Sequence, residues 1–420
     1  MNKRLNILTV ALLSSFLIGQ TEVSKSQVKV TKMNDSFYLV ESTGAFPVNS
    51  LVFSGKDGLL IVDSGFQQTS KEFKEKISKI GSGEVKYIIN THNHPDHYGG
   101  NTMWSGEATI IIHEKALGAI SGAYYGLTPL SDPDDIPQIA LTDGMNLELE
   151  FNNQIVQIQP IAGGHTHNDL LVYFKDSKIA CMGGLLYSDQ FPAVITGGGG
   201  DAEKFIQIHK SLLDSWPRDV TIIAGHGPVL SKSEFNDYHK MITKSYQLVN
   251  TALLSGESVD NVINNELLKD YHEWGDGPIT STRSWTTVID RVINPIEPSD
   301  LKSIAEHMTY VYMDEGLKTA IKEYKRLKLD NSGEYQFTEF ELNMLGYHLF
   351  YRDKWDDAIK IFKLNISEYP ESVNPYDSLG EAYMNMGEKK KAIKYFKKAL
   401  EIDPEYPSSL AALEKLRSNI

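Results

Sequence analysis

Cysteine is almost absent from this chain of 420 residues, which contains a single one, Cys181. An intramolecular disulfide is therefore excluded, and so are zinc modules built from several thiolates. Any metal site in this protein must draw its ligands from histidine and carboxylate side chains.

Positive charge is also in short supply. The chain has 41 Lys and Arg against 55 Asp and Glu, which gives a formal net charge of −14. An acidic protein repels phosphate backbones, so nucleic acid is not expected among its partners. The apolar share of 41% and the charged share of 23% are those of an ordinary globular protein. They exclude collagen-like, disordered and polytopic membrane chains.

Long apolar runs are missing everywhere except at the N-terminus. There Lys3 and Arg4 precede the apolar residues 5–19, a pattern typical of a signal peptide and short for a membrane span. We expect residues 1–20 to be removed on export. The mature protein would then be periplasmic or secreted, without an integral membrane segment. An N-terminal anchor or a frayed helix is the alternative.

Residues 21–230 alternate between short β-rich runs and helical segments. The predicted strands are 37–40, 49–53, 58–63, 85–90, 108–113, 155–160, 169–174, 178–182 and 220–224, and the predicted helices are 70–80 and 202–215. Strands that end in polar loops, with helices outside them, predict an α+β domain built as an αβ/βα sandwich. Residues 231–298 are predicted to be a helical extension that ends in a proline-marked linker.

The C-terminal part, residues 299–420, contains an internal repeat of 34 residues. The residues that recur at this spacing are Gly346 and Gly380, Ala358 and Ala392, Phe362 and Phe396, and Pro370 and Pro404. The two clear copies, 339–372 and 373–406, resemble tetratricopeptide repeats, which form pairs of packed antiparallel helices. The resemblance implies an all-α repeat domain and a protein partner that binds through the repeats.

The most informative segment follows the predicted strand 85–90. Three histidines and one aspartate lie within six residues there, namely His92, His94, Asp96 and His97. Because the segment follows a strand end, these side chains are expected to face one cavity. Zinc prefers imidazole and carboxylate where no thiolate is available, and Asp96 either binds the metal or hydrogen-bonds a metal-bound water. The alternative, a histidine-rich surface loop, does not account for this spacing.

Two further histidines occupy glycine-flanked turns. His165 precedes the predicted strand 169–174, and His226 follows the predicted strand 220–224. Small flanking residues allow the backbone to come close to a ligand. Both turns are therefore candidates for the same site.

Together these segments resemble the metallo-β-lactamase superfamily over about residues 30–230. The matching motifs are the Asp-x-Gly turn at 63–65, the His-x-His-x-Asp-His loop at 92–97, the Gly-His-Thr turn at 164–166 and the Gly-His-Gly turn at 225–227. The resemblance implies two zinc ions, with a water or hydroxide between them as the nucleophile. One zinc would be bound by His92, His94 and His165, and the other by Asp96, His97 and His226. It also implies that Asp63 braces the metal loop through hydrogen bonds.

One position departs from this family's pattern. Many hydrolases of the superfamily carry a bridging aspartate after the strand that follows the Gly-His-Thr turn, whereas this chain has Gly184. Cys181 lies three residues earlier, and we interpret it as a buried hydrophobic residue. Three ligands for each metal resemble the third β-lactamase subclass and weaken a glyoxalase-II or phosphodiesterase interpretation. Whether both metal sites are filled stays open.

Weaker candidates surround this set. Asp169 either orients a ligand histidine or simply begins a strand, and His167 is a candidate for substrate contact. Tyr124 and Tyr125 belong to residues 118–137, which form either a substrate lid or an ordinary surface loop. Asp201 is predicted to be the N-cap of the helix that follows a glycine-rich loop.

These features predict an exported, zinc-dependent hydrolase in which an activated water attacks an amide or ester carbonyl of a small molecule, as in a β-lactamase. Asp96 is the predicted catalytic residue. Lactone or other ester hydrolysis at the same site is one alternative. The other is a repeat-based adaptor with a vestigial metal domain, which the complete set of six ligands disfavours. The substrate is not predicted, because specificity lies in loops.

Overall fold

The computed structural model describes residues 27–418, except for 44–46, 82, 105, 118–138, 276–278, 295–300, 331–332, 351–353 and 405. The predicted signal peptide, Tyr124 and Tyr125 lie outside the described residues. The chain divides into two compact units. The first consists of the described parts of 23–117 and 134–296, and the second of the described part of 297–420.

One sheet of the first unit has seven described strands in chain order. They are β1 (Val28–Lys32), β2 (Phe37–Thr43), β3 (Pro47–Gly55), β4 (Gly58–Val62), β5 (Val85–Ile89), β6 (Thr109–His113) and β7 (Ile139–Leu141). The first four pair antiparallel, and β4 to β7 pair in parallel. The carboxyl ends of β4 and β5 therefore meet at one edge of the sheet.

The second sheet has six described strands. They are β8 (Leu147–Phe151), β9 (Gln154–Ile161), β10 (Asp169–Phe174), β11 (Ile179–Tyr187), β12 (Thr221–His226) and β13 (Leu230–Ser231). β11 and β12 pair in parallel, with a register shift between Cys181 and Gly183 and another between Gly183 and Tyr187. β11 extends to Tyr187, five residues beyond the strand predicted from the sequence.

The hydrophobic core lies between the two sheets. The rings of Phe37 and Phe53 stack there, and the ring of Phe174 meets both of them edge to face. Alternate residues of several strands join them, because successive side chains of a strand point to opposite faces. Cys181 is part of this core, as predicted. Helix α1 (Ser70–Ile77) buries Phe73 on the first sheet's side of the unit. The predicted αβ/βα architecture is confirmed.

Helices cover the outer face of the second sheet. They are α3 (Ala202–Ser215), α4 (Lys232–Leu254), α5 (Val259–Asn264), α6 (His272–Gly275) and α7 (Thr282–Ile293), and a one-turn helix α2 (Pro95–Tyr98) lies in the metal loop. Trp285 of α7 and Ile242 of α4 are fully buried in one cluster with Leu186 of β11. The helical extension after residue 230 is therefore part of the first compact unit.

The second unit consists of paired helices. They are α8 (Ile304–Glu315), α9 (Leu317–Asp330), α10 (Glu339–Phe350), α11 (Trp355–Glu368), α12 (Asn374–Asn385), α13 (Lys389–Ile402) and α14 (Pro407–Ser418), with short strands β14 (Lys302–Ser303) and β15 (Tyr335–Gln336). The repeated glycines allow close helix contact: a Cβ at Gly380 would lie 2.8 Å from the ring of Phe396. None of the described helices combines the length and apolarity needed to cross a bilayer.

The division into units predicts how truncations behave. A chain that ends at Pro298 should stay soluble and keep a cooperative thermal transition, because it retains the helices that cover the second sheet. A chain that ends at residue 230 should aggregate, because it exposes apolar surface that Ile242, Trp285 and Ile289 cover. Soluble yield and circular dichroism during heating measure both outcomes. A cooperative transition in the shorter chain would contradict this division.

Candidate metal centre

The metal loop begins where the parallel strand β5 ends. His92 and His94 follow the strand after two intervening residues, and Pro95 then starts the short helix α2, which carries Asp96 and His97. Proline suits the first position of a helix because its missing N–H would have no helical partner there. The turn of helix aims Asp96 and His97 differently from the two preceding histidines, so that one loop serves two sites.

The first group of candidate ligands, the first set, consists of His92, His94 and His165. One ring nitrogen from each lies within 4.8 Å of the others, and Nε2 of His165 is 3.0 Å from Nδ1 of His94. All three side chains are at most 9% exposed. The structure thus brings together residues that lie about seventy positions apart in the chain.

The second set consists of Asp96, His97 and His226, whose ligand atoms also lie within 4.8 Å of one another. Nε2 of His97 is 3.3 Å from Nε2 of His226, and one oxygen of Asp96 is 3.2 Å and 3.3 Å from these two nitrogens. The three side chains are buried. The two turns and the metal loop therefore converge on two adjacent three-ligand sets.

The first set fits a metal ion. Nε2 of His92 is buried without a hydrogen-bond partner among the described residues. Burial lowers the pKa of His92 and His165 well below the ordinary value, and that of His94 to about 4. These neutral rings present lone pairs towards a common point, and a cation is the group that satisfies them. Imidazole-rich sites of this kind suit zinc.

The second set combines charges of both signs. Burial opposes ionisation of Asp96, but His97 and His226 outweigh it and hold the pKa of this carboxyl far below its usual range. Burial likewise lowers the pKa of His97, but Asp96 and Asp63 outweigh it and raise that pKa to about 10. The buried carboxylates of Asp63 and Asp96 thus favour a positive charge at or beside His97. A metal ion can supply that charge.

Backbone carbonyls fix which nitrogen two of the histidines offer. Nδ1 of His165 donates to the carbonyl of Ala193 at 2.6 Å, and Nδ1 of His226 donates to the carbonyl of Pro47 at 2.9 Å. Each ring therefore turns the lone pair of Nε2 towards its ligand set. Such outer hydrogen bonds orient a ligand and raise its basicity.

Asp63 braces the metal loop. Its carboxylate accepts hydrogen bonds from Nδ1 of His97 at 2.7 Å and from the N–H and hydroxyl of Thr91 at 2.7 and 2.8 Å. The Thr91 hydroxyl in turn lies 3.0 Å from Nδ1 of His92. A single buried side chain therefore orients one ligand of each set, in the place that the sequence motif predicts for it.

The absence of a side chain at Gly184 leaves the space that the ring of His165 occupies. A Cβ at this position would lie 2.1 Å from Cδ2 of His165, a distance that real Cβ contacts do not show. At the neighbouring Gly183, a Cβ would lie 2.1 Å from the hydroxyl oxygen of Thr91. The two glycines let β11 press its backbone against both ligand loops. A bridging aspartate at residue 184 is incompatible with the observed position of His165.

Comparison with known proteins identifies the two parts of the chain. The family model of the metallo-β-lactamase superfamily matches residues 43–226, and that of the tetratricopeptide repeat matches residues 378–406. The chain contains a metallo-β-lactamase superfamily domain followed by a tetratricopeptide repeat. All six candidate ligands lie within or at the end of the matched metallo-β-lactamase region.

The relatives of this metallo-β-lactamase domain are distant. A protein of Bacillus sp. (strain 170) named metallo-beta-lactamase type 2 is 27% identical over 49% of this chain and 78% of its own length. A hydroxyacylglutathione hydrolase of Pelagibacter ubique is 29% identical over 36% of this chain and 55% of its own length. A solved metallo-beta-lactamase from Pontibacter korlensis is 20% identical, with a TM-score of 0.45, over 52% of this chain and 99% of its own.

The weaker candidates Asp169, His167 and Asp201 hydrogen-bond to neighbouring turns and to the start of a helix. The Asp169 carboxylate accepts from the N–H and hydroxyl of Thr166 at 2.9 and 2.6 Å, so it holds the His165 turn and does not contact a ligand ring. Burial raises the pKa of Asp169 to about 7, although these hydrogen bonds oppose the shift. The ring of His167 contacts the carbonyl of Gly198. Asp201 caps α3 by accepting from the N–H of Lys204 at 2.8 Å, as predicted.

Several supporting residues are not evident from the sequence. Asn90 and Asn101 bond to each other at 2.7 Å, and Asn90 also donates to the carbonyl of His97 at 3.1 Å. Asn168 accepts from the N–H of Asn93 at 3.0 Å and so ties the metal loop to the His165 turn. Asparagine side chains of this kind match no motif. Only Asn90 could have been marked by its position, because it directly follows the strand that ends at the metal loop.

The close approach of Gly184 to the ring of His165 yields a prediction about metal affinity. Gly184→Ala should weaken metal binding at the first set at least about tenfold, because the added Cβ displaces His165. Gly184→Asp introduces the aspartate that bridges the two metals in many hydrolases of the superfamily. It should also weaken metal binding here, because its side chain would occupy the position of the His165 ring. Competition of the apo-protein with a chromophoric zinc chelator measures both affinities.

Gly144→Ala is the matched control for these variants. Gly144 has a φ of +81°, and a Cβ added there would meet no atom of the described residues within 4 Å. Its replacement therefore strains a turn without touching the metal sets. If Gly184→Asp bound two zinc ions more tightly than the natural protein, the conclusion that His165 requires a glycine at residue 184 would be wrong.

Proposed function

We propose that the metallo-β-lactamase domain is a zinc-dependent hydrolase that directs water at an amide or ester carbonyl of a small cyclic or acylated substrate. A β-lactam is the first candidate. The observation that carries the proposal is the convergence of six buried histidine and aspartate ligand atoms into two adjacent sets, one with an unsatisfied nitrogen at His92. The absence of thiolate ligands suits zinc bound by imidazole and carboxylate.

Zinc held in these sets would supply a nucleophilic water at neutral pH and polarise the substrate carbonyl. The chain's own residues supply the geometry. Asp63 fixes the orientations of His97 and Thr91, and the carbonyls of Ala193 and Pro47 fix His165 and His226. Asp96 stays ionised and offers oxygens that can accept a hydrogen bond from the attacking water.

Ester, thioester or lactone hydrolysis at the same site is the second candidate. The similarity to a protein named hydroxyacylglutathione hydrolase favours it. The glycine at position 184 favours the β-lactamase-like activity, because it leaves three ligands for each metal without a shared carboxylate. An adaptor with a vestigial metal domain is disfavoured, because all six ligands and their hydrogen-bonding partners are present.

Asp96→Asn should lower kcat/KM by about 10²–10⁴-fold while leaving the fold intact, because the amide keeps the size of the side chain but loses its charge. The assay is turnover of a chromogenic cephalosporin and of an acyl lactone by the zinc-loaded enzyme. Asp214→Asn is the matched control, since Asp214 is exposed and pairs with Lys210 on the same helix. Zinc content is measured in parallel.

The metal requirement has its own outcomes. The natural protein should contain up to two zinc ions, and His92→Ala should lose the metal of the first set. No transition metal after zinc-supplemented expression would refute the proposed function. Near-natural turnover of Asp96→Asn would refute a two-metal mechanism and favour a single zinc on His92, His94 and His165.

We also propose that the protein is exported and that its repeats bind a protein partner. Lys3, Arg4 and the apolar residues 5–19 support export. Expression of the full chain in a Gram-negative host should yield a mature protein in the periplasm or medium, with an N-terminus near residue 20. Mass spectrometry of the cell fractions tests this. A full-length protein confined to the cytosol would contradict it.

A further inference from the structure

Tyr187 lies beside the two ligand sets and is assigned no role by any motif. Its side chain is fully buried at the end of β11. The ring stacks on His226 of the second set, with centroids 4.7 Å apart and planes 21° apart, and it lies 5.8 Å from the ring of His165 of the first set. Tyr187 is thus in ring contact with one ligand from each set.

The backbone brings Tyr187 to this position through the glycines that precede it. Gly183 has a φ of +50°, and the pairing of β11 with β12 shifts register between Gly183 and Tyr187. Tyr187 pairs with His226 itself in this parallel register. A register set by strand pairing is shared with the whole sheet, so the tyrosine ring is held more firmly than a loop side chain would be.

A ring at this position matters because no ligand is shared between the sets. In a bridged centre the shared carboxylate links the two metals, whereas Gly184 provides no such link. His226 is the ligand that lies farthest along the chain from the metal loop. It is oriented by a hydrogen bond to Pro47 and by the face of Tyr187. Aromatic contacts of this kind favour one ring orientation.

We infer that Tyr187 is a positioning residue whose ring holds His226 at a fixed place relative to His165 and so maintains the second metal set. The inference rests on the proposed two-metal centre. The Tyr187 hydroxyl is buried and has no hydrogen-bond partner among the described residues, so no polar contact fixes the side chain. The ring therefore carries the positioning role.

The test separates the ring from the hydroxyl by metal titration of the apo-protein. Tyr187→Phe keeps the ring and should bind two metal ions with natural affinities. Tyr187→Leu removes the ring and should weaken the second metal at least about tenfold, with the first metal changed by no more than about twofold. Cobalt substitution adds a spectroscopic readout, since the d–d absorption of the second ion should change in Tyr187→Leu and not in Tyr187→Phe.

Phe174→Leu is the matched control for loss of a buried ring, since Phe174 lies in the core between the two sheets and packs against Phe37. It should destabilise the fold without changing either metal affinity. Tyr187→Met, whose flexible side chain can fill the space, replaces Tyr187→Leu if that variant does not fold.

Two results would overturn the inference while leaving the proposed function intact. One is natural binding of both metals by the ringless variant. The other is an equal loss of the second metal in Tyr187→Phe, which would assign the effect to the hydroxyl. Failure of the natural protein to bind any metal would instead overturn the proposed function, and this inference with it.

Discussion

The buried carboxylate of Asp63 is the interaction on which the metal centre depends. It accepts three hydrogen bonds, from the N–H and hydroxyl of Thr91 and from Nδ1 of His97. A buried charge is tolerated only when it is satisfied in this way. Asp63 has a φ of +63° at the turn after β4, so the local backbone is strained in order to aim this side chain at the neighbouring loop.

The rest of the centre is built from backbone that approaches closely. The atoms around Gly183, Gly184 and Gly225 leave no room for a side chain at these positions. The backbones of β11 and β12 therefore pack directly against each other and against the ligand loops. The carbonyls of Ala193 and Pro47 complete the orientation of His165 and His226. Rigid strands and fixed carbonyl groups hold the rings in these orientations.

The helical extension takes part in this support. Gln190 accepts hydrogen bonds from the N–H groups of Ile279 and Thr280, and the Thr280 hydroxyl donates to the carbonyl of Phe191 at 2.6 Å. These contacts fasten the loop after β11, which also carries Ala193. The extension therefore positions a ligand indirectly, although none of its described residues belongs to either ligand set. The repeats form a second unit with its own core, which suits a role separate from catalysis.

Local patterns in the sequence were enough to predict nine of the thirteen described strands of the first unit, the glycine and aromatic positions of the 34-residue repeat, and the six candidate ligands, whereas β1, β7, β8 and β13 were not predicted. Each of these patterns lies within a few residues or recurs at a regular spacing, so hydrophobic periodicity and motif spacing reveal it. The tertiary structure alone decided that His165 packs against Gly184 and that Tyr187 stacks on His226. It also decided that the helical extension fastens the loop after β11. These contacts join segments that are distant in the chain, and their formation depends on strand register and backbone approach, which no local pattern records.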